Sequence, residues 1–284
     1  MSLDPEVAGL LAPVAGQSPR PDGPPVRAVR DLGLPLPGRT LPLRRYDGER
    51  DDCLVVFFHG GGFVSGGLDR HDAQARDLCR STGRSVLAVA YRLAPDHPFP
   101  AAYDDAVAAV GWAREHLADR VAVAGPSAGG NLALGAALAL ADTPAAPVAQ
   151  LLAYPVISGD PAYPSRTEVG PGHGLDSATL ELCFGAYLPG PHLRTDPRFA
   201  PLLHPALASA PPSVVVTAGL DPLRDEGRDL AVRLRAAGVA VRFAEEATLP
   251  HGFWKFAPVA RVAGAASARM GRALAELIEA APAH

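Results

Sequence analysis

Apolar runs of strand length alternate along this chain with stretches of helical period. Residues 54–58, 85–91, 120–124, 148–154, 213–218 and 239–244 are short and rich in β-branched or bulky apolar side chains, which marks them as buried strands. Helical patterns fall between them at 69–82, 101–117, 127–141 and 224–237, the last closed by Gly238. Strand alternating with helix predicts a mostly parallel sheet with helices on both faces.

The rhythm fails in two places. Residues 3–12 predict a short amphipathic helix, with Asp4 as its cap, Pro5 in the first turn, and Val7, Leu10 and Leu11 on one side. Repeated proline and glycine over 13–42 then predict a meandering arm rather than a packed element. Between Tyr154 and Ser213 the chain is again rich in proline, glycine and histidine, with one helical stretch at 176–188 that puts Leu180, Phe184, Tyr187 and Leu188 on one side. A long interruption inside a compact fold is usually functional. The expectation is a cap insertion over 157–208, joined by an N-terminal arm over 1–45, with 46–156 and 209–284 forming the core.

Composition narrows the partners. With 284 residues, 48% of them apolar, the chain can bury one sizeable core. A net charge of −4 and a pI near 6.1 argue against nucleic acid and anionic lipid, and small neutral substrates fit better. Lys255 is the only lysine, which reads as codon bias toward arginine. Cys53, Cys79 and Cys183 are odd in number and widely spaced, which argues for a reducing compartment over a disulfide framework. The N-terminus lacks the basic start of a secretory leader, and no window holds the roughly 18 unbroken apolar residues of a spanning helix, so a cytoplasmic protein is expected.

Two strings carry the candidate chemistry. His59-Gly60-Gly61-Gly62-Phe63 follows one apolar run, and Gly125-Pro126-Ser127-Ala128-Gly129 follows another. A serine between small neighbours at a sharp strand-to-helix turn has its hydroxyl lifted clear of the sheet, and the helix below offers free N–H groups to negative charge. Consecutive glycines let backbone approach a ligand closely. The same strand, glycine and helix sequence also describes a dinucleotide-binding turn, but the glycines do not follow GxGxxG and no acid-terminated second strand comes after. No histidine pair has the i, i+4 spacing of a zinc protease, and no metal is expected.

Five motifs, HGGGF at 59–63, YRLAPDHPFPAAYDD at 91–105, GPSAGGN at 125–131, DPLRDEG at 221–227 and HGF at 251–253, together resemble the hormone-sensitive-lipase-like group of α/β-hydrolases over roughly 54–257. The resemblance implies an α/β-hydrolase fold with a helical cap, and a serine carboxylesterase that cleaves short-chain acyl esters without a cofactor. Carried over by position, Ser127 is the nucleophile, Asp221 the acid and His251 the base. The backbone N–H groups of Gly61, Gly62 and Ala128 form the oxyanion hole, and His59 shapes the loop. Phe63, Phe184, Tyr187 and Leu188 are the candidate substrate-binding side chains. The resemblance also implies pairing of two copies through an edge strand or the final helix. Pro126 departs from the family pattern, which usually has an acid before the serine.

Competing assignments are available for each role. Asp225 and Glu226 lie close to Asp221 but inside a helical pattern, where acids serve the helix dipole. His97, His173, His192 and His204 lie in proline-rich loops and are expected to be solvated, while Asp104 and Asp105 are expected to be structural. A pocket that binds a small molecule as a receptor, or an enzyme that passes the acyl group to another acceptor or deacetylates a natural product, are the alternative functions.

Overall fold

In the computed structural model, which describes residues 2–11 and 23–282, one sheet runs through the molecule in the strand order β1-β2-β4-β3-β5-β6-β7-β8. The strands are β1 (Ala28–Leu36), β2 (Arg39–Asp47), β3 (Arg50–Phe58), β4 (Arg84–Val89), β5 (Val121–Pro126), β6 (Gln150–Ala153), β7 (Ser213–Leu220) and β8 (Val241–Pro250). β1 pairs antiparallel with β2, and β2 with β4, while every pairing from β4 to β8 is parallel. The helices are α1 (Pro5–Leu11), α2 (Asp72–Thr82), α3 (Ala101–His116), α4 (Ala128–Ala139), α5 (Ser165–Glu168), α6 (Ser177–Tyr187), α7 (Arg224–Ala236) and α8 (Arg261–Ala280).

The pleat explains why the central runs lack polar alternation. Leu54, Val56 and Phe58 of β3 enter one hydrophobic core, and Cys53, Val55 and Phe57 enter another. Both sides of the strand are covered, so both sets of positions are apolar. Residues of α3, α4 and α7 close the first face, and residues of α1, α2 and α8 close the second. Among the described residues no helix is long and apolar enough to cross a membrane.

All six apolar runs lie in or overlap strands, but the amino-terminal arm needs correction. Residues 13–22 of it lie outside the described residues. Residues 28–42 are no meander: β1 and β2 form a hairpin in full register from Ala28 opposite Asp47 to Leu36 opposite Arg39. Its second strand adds to β4 and buries Leu41, Leu43 and Tyr46. Pro35 is tolerated because β1 is the edge, where a missing N–H breaks no ladder on the outer side. This part of the expected arm belongs to the sheet.

α1 begins as expected, with Asp4 Oδ1 accepting the Glu6 N–H at 3.0 Å. Val7 is buried, whereas Leu10 is 41% exposed and turned away from the packed side; Ala12 lies outside the described residues. Between β6 and β7 lie α5, α6 and three short 3-10 turns at Pro191–Thr195, Pro201–Leu203 and Leu207–Ser209. Asp176 caps α6 by accepting the Thr179 N–H at 2.7 Å.

Candidate active site

Parallel strands end on one side, so the loops after β3, β5, β6, β7 and β8 converge there. β5 hands over to α4 through Ser127, whose φ of 56° and ψ of −123° are strained for a residue with a side chain. Backbone bonds hold it in that state: Ser127 N–H donates to Ala153 O at 2.9 Å, and the Ser127 carbonyl accepts from Gly130 at 3.0 Å and Val156 at 3.2 Å. The flanking glycines are steric necessities. A Cβ on Gly129 would stand 1.9 Å from Phe58 O, and one on Gly125 would stand 2.3 Å from the Gly129 carbonyl carbon. Pro126 keeps its place at the end of β5, opposite Ala153 of β6, and lines the cavity described below.

Three side chains from three strand ends meet at this turn. The Ser127 hydroxyl lies 3.0 Å from His251 Nε2, and His251 Nδ1 lies 2.7 Å from Asp221 Oδ2. A carboxylate only accepts, so Nδ1 carries the proton and Nε2 is left to accept from the serine. Asp221 is fully buried, and its other oxygen accepts the Leu223 N–H at 2.8 Å, which fixes the plane of the carboxylate. β8 runs to Pro250, so His251 follows the strand directly.

The glycine loop aims its amides by locking the opposite carbonyls. Gly61 O accepts from Val64 N–H at 3.1 Å, Ser65 N–H at 3.0 Å and the Ser65 hydroxyl at 3.2 Å. In a trans peptide the N–H points opposite the C=O, so the Gly62 N–H turns away from that turn. His59 does the same one peptide earlier: Nδ1–H donates to Gly60 O at 2.8 Å, which directs the Gly61 N–H the other way. Among the described residues neither amide donates to a protein acceptor. Gly61 at φ 123° and Gly62 at φ 63° need the freedom of glycine. Ala128 opens α4, where a first-turn N–H has no helical acceptor. His59 is stacked on Tyr91 at 4.2 Å and on His71 at 4.8 Å, and burial pushes its imidazole down to about 3.

A cavity of about 550 Å³ opens over Ser127 and His251. Its walls include Gly61, Gly62, Val64, Tyr154, Leu175, Thr179, Leu180 and Cys183, with Arg70, His71, Gln74 and Lys255 among the polar residues. The expected substrate side chains are elsewhere. Phe63, Phe184, Tyr187 and Leu188 are all buried in the first core, with Phe63 stacked on Tyr187 at 4.1 Å and Phe184 edge-on to Phe199 at 5.0 Å. These aromatics tie the glycine loop to α6, and the neighbouring face of the same helix reaches the cavity. There Cys183 presses on the loop, because a Cβ on Gly62 would stand 2.6 Å from its Sγ.

Sequence reasoning also missed Tyr154, which packs edge-on against the His251 ring at 4.9 Å. Its only signal was its place at the end of the strand beside the one that leads to Ser127. The competing acids have other partners. Asp225 accepts the Ser165 N–H and pairs with Arg224, Glu226 is buried against Arg166 and accepts the Ile157 N–H, and Asp105 holds Arg92 and its backbone. His97 and His192 are exposed, while His173 and His204 are half-buried. Among the described residues no three His, Cys, Asp or Glu side chains form a group able to hold a metal ion.

A strained serine, a histidine and a buried aspartate linked in series beside free amides define a serine hydrolase site on an α/β sheet. The chain belongs to the α/β-hydrolase-fold family, whose profile matches residues 55–255, and within it to the hormone-sensitive-lipase-like group. It is 39% identical over 269 residues to the carboxylic ester hydrolase LipN of Mycobacterium tuberculosis, covering 89% of this chain and 72% of that one. It is 38% identical over 260 residues to an ethyl acetate hydrolase of Pseudomonas putida, covering 87% and 80%. Among solved structures, a hyperthermophilic esterase from the archaeon Pyrobaculum calidifontis superposes with a TM-score of 0.88 at 31% identity, covering 98% of this chain and 99% of that one.

Proposed function

We propose that this protein is a serine carboxylesterase for short-chain acyl esters, with Ser127 as nucleophile, His251 as general base and acid, and Asp221 as the group that orients the imidazole. The observation that carries the reading is the unbroken series Ser127–His251–Asp221, with bonds of 3.0 and 2.7 Å, facing a cavity of about 550 Å³. His251 takes the hydroxyl proton as Oγ attacks the ester carbonyl. The Gly61, Gly62 and Ala128 amides receive the oxyanion, and the proton then passes to the leaving alcohol. Water repeats the sequence on the acyl-enzyme and frees the acid.

A short acyl group suits a cavity of about 550 Å³ that must also hold the alcohol, and one relative is named for ethyl acetate. A cap made of 157–208 and α1 is supported by Thr179, Leu180 and Cys183 of α6 on the cavity wall, and by Leu11 beside Gly174, which lies against the His251 carbonyl. Three unbridged thiols support a cytoplasmic setting, and β8, one of the two edges of the sheet, is the surface through which two copies would pair. The receptor alternative loses ground because such a role needs no relay to the serine.

The test is release of nitrophenol from 4-nitrophenyl acetate and butyrate. Ser127→Ala is expected to lower kcat on the order of 10⁶-fold, by analogy with nucleophile deletions in other triads. A variant that keeps a tenth of the activity would end the assignment.

A further inference from the structure

The charge around the cavity is the reverse of the charge of the chain. The protein carries a net charge of −4, yet the cavity wall includes Arg70 and Lys255 and no aspartate or glutamate. Most arginines here are neutralised where they stand: Arg44 by Asp31 and Asp69, Arg92 by Asp105, Arg224 by Asp225 and Glu168. Arg70 and Lys255 have no carboxylate within ion-pair distance among the described residues. The acids beside Arg70 in sequence are taken, Asp69 by Arg44 and Asp72 by Arg76 and the Tyr46 hydroxyl.

The only lysine of the chain is also held in place. Its ammonium lies 4.7 Å from the Phe256 ring centroid. Its Cε and Nζ lie 3.9 and 4.0 Å from where a Cβ on Gly252 would stand, so the side chain folds back along the residue next to His251. Although Lys255 as a residue is exposed, partial desolvation of its ammonium, and then the Arg70 charge, lower its pKa. Two unpaired cations on one wall repel each other, and an anion between them relieves both.

We infer that the cavity takes esters that also carry a carboxylate, which Arg70 and Lys255 bind while the ester carbonyl sits at Ser127. This rests on the esterase reading of the same site, and it departs from the neutral substrate expected from whole-chain charge. Both residues are exposed, so their combined pull on an anion in the cavity is felt at short range and weakens as salt screens it.

The experiment compares matched pairs that differ only in that charge. One pair carries it on the acyl side, 4-nitrophenyl hydrogen glutarate against 4-nitrophenyl methyl glutarate. The other carries it on the alcohol side, 4-acetoxybenzoate against its methyl ester. In at least one pair the anion is expected to have a kcat/KM about 10-fold higher, equivalent to about 1.4 kcal/mol, and the advantage should shrink in 0.5 M salt. Arg70→Gln and Lys255→Gln should each reduce the ratio about 3-fold, the double variant should abolish it, and Lys255→Arg should restore it. No preference in either pair, or variants that slow charged and neutral esters alike, overturns the inference. If no ester turns over, the esterase reading fails separately, and calorimetry on Ser127→Ala still decides this one. Tighter binding of hydrogen glutarate ester than of its methyl ester, lost in the double cation variant, supports it, and equal binding overturns it.

Discussion

The strand ends and helix α6 border the same cavity but hold their side chains by different means. At the ends of β5 and β7 the backbone does the positioning: Ser127 is pinned through Ala153, Gly130 and Val156, and Asp221 through the Leu223 amide. On α6 the polar ties, Asp176 on the Thr179 amide, Arg194 on Glu181 and the Phe99 amide on the Tyr187 carbonyl, lie at the ends and outer side of the helix rather than at the cavity. Thr179 and Cys183 face the cavity while Phe184 and Tyr187, one position or one turn away, enter the core. The side chains that face the core are fixed by volume, through Phe184 against Phe199 and Tyr187 against Phe63. Chemistry is thus located by hydrogen-bonded backbone, and the shape of the pocket by packing.

The largest effect expected from this contrast is at a strand end. Asp221→Asn keeps the shape but leaves His251 in the wrong tautomer, so kcat for a nitrophenyl ester should fall about 10⁴-fold, with the urea midpoint nearly unmoved. A loss below tenfold would mean that the relay is not what orients the histidine.

On α6 the order reverses. Phe184→Ala should lower the unfolding free energy by about 3–5 kcal/mol, because it opens a void among Phe63, Tyr187 and Phe199. Thr179→Ala, on the cavity side of the same helix, should change it by less than about 0.5 kcal/mol. Similar values for the two in urea unfolding would show that volume does not hold this helix.

The smallest effect lies in the glycine loop, which joins the two regions. Burial holds the His59 imidazole at about 3, against an ordinary 6.5. The unfolded chain therefore takes up the proton first, so the stability from this group is whole above about pH 6.5 and drains away as the pH falls toward 3. At about 1.4 kcal/mol per pH unit, roughly 2 kcal/mol should go between pH 6.5 and 5. His59→Gln should lack that component in urea titrations at the two pH values, and parallel slopes for both proteins would rule the ring out as the acid-sensitive element.

Much of the core was legible because buried parallel strands leave no room for polar residues, and the six runs stood out for that reason. The β1–β2 hairpin was not, since Pro35 in the edge strand, Pro37 in the turn and Pro42 inside β2 all look like breakers in the sequence. The order of the five motifs picked out Ser127, Asp221 and His251, which the fold brings within bonding distance. The side chains on α6 could not be read: a helical period defines a face, but not whether that face meets Phe199 or the ligand.

By itself, the sequence determined the alternation of strand and helix and the sites where backbone must be glycine or strained, because these are local conditions on φ, ψ and burial. Only the tertiary structure decided which groups share the cavity. Tyr154, Arg70, Cys183 and Lys255 come from four distant segments, and their meeting depends on how whole elements pack, a sum of many weak contacts that no short stretch of chain encodes.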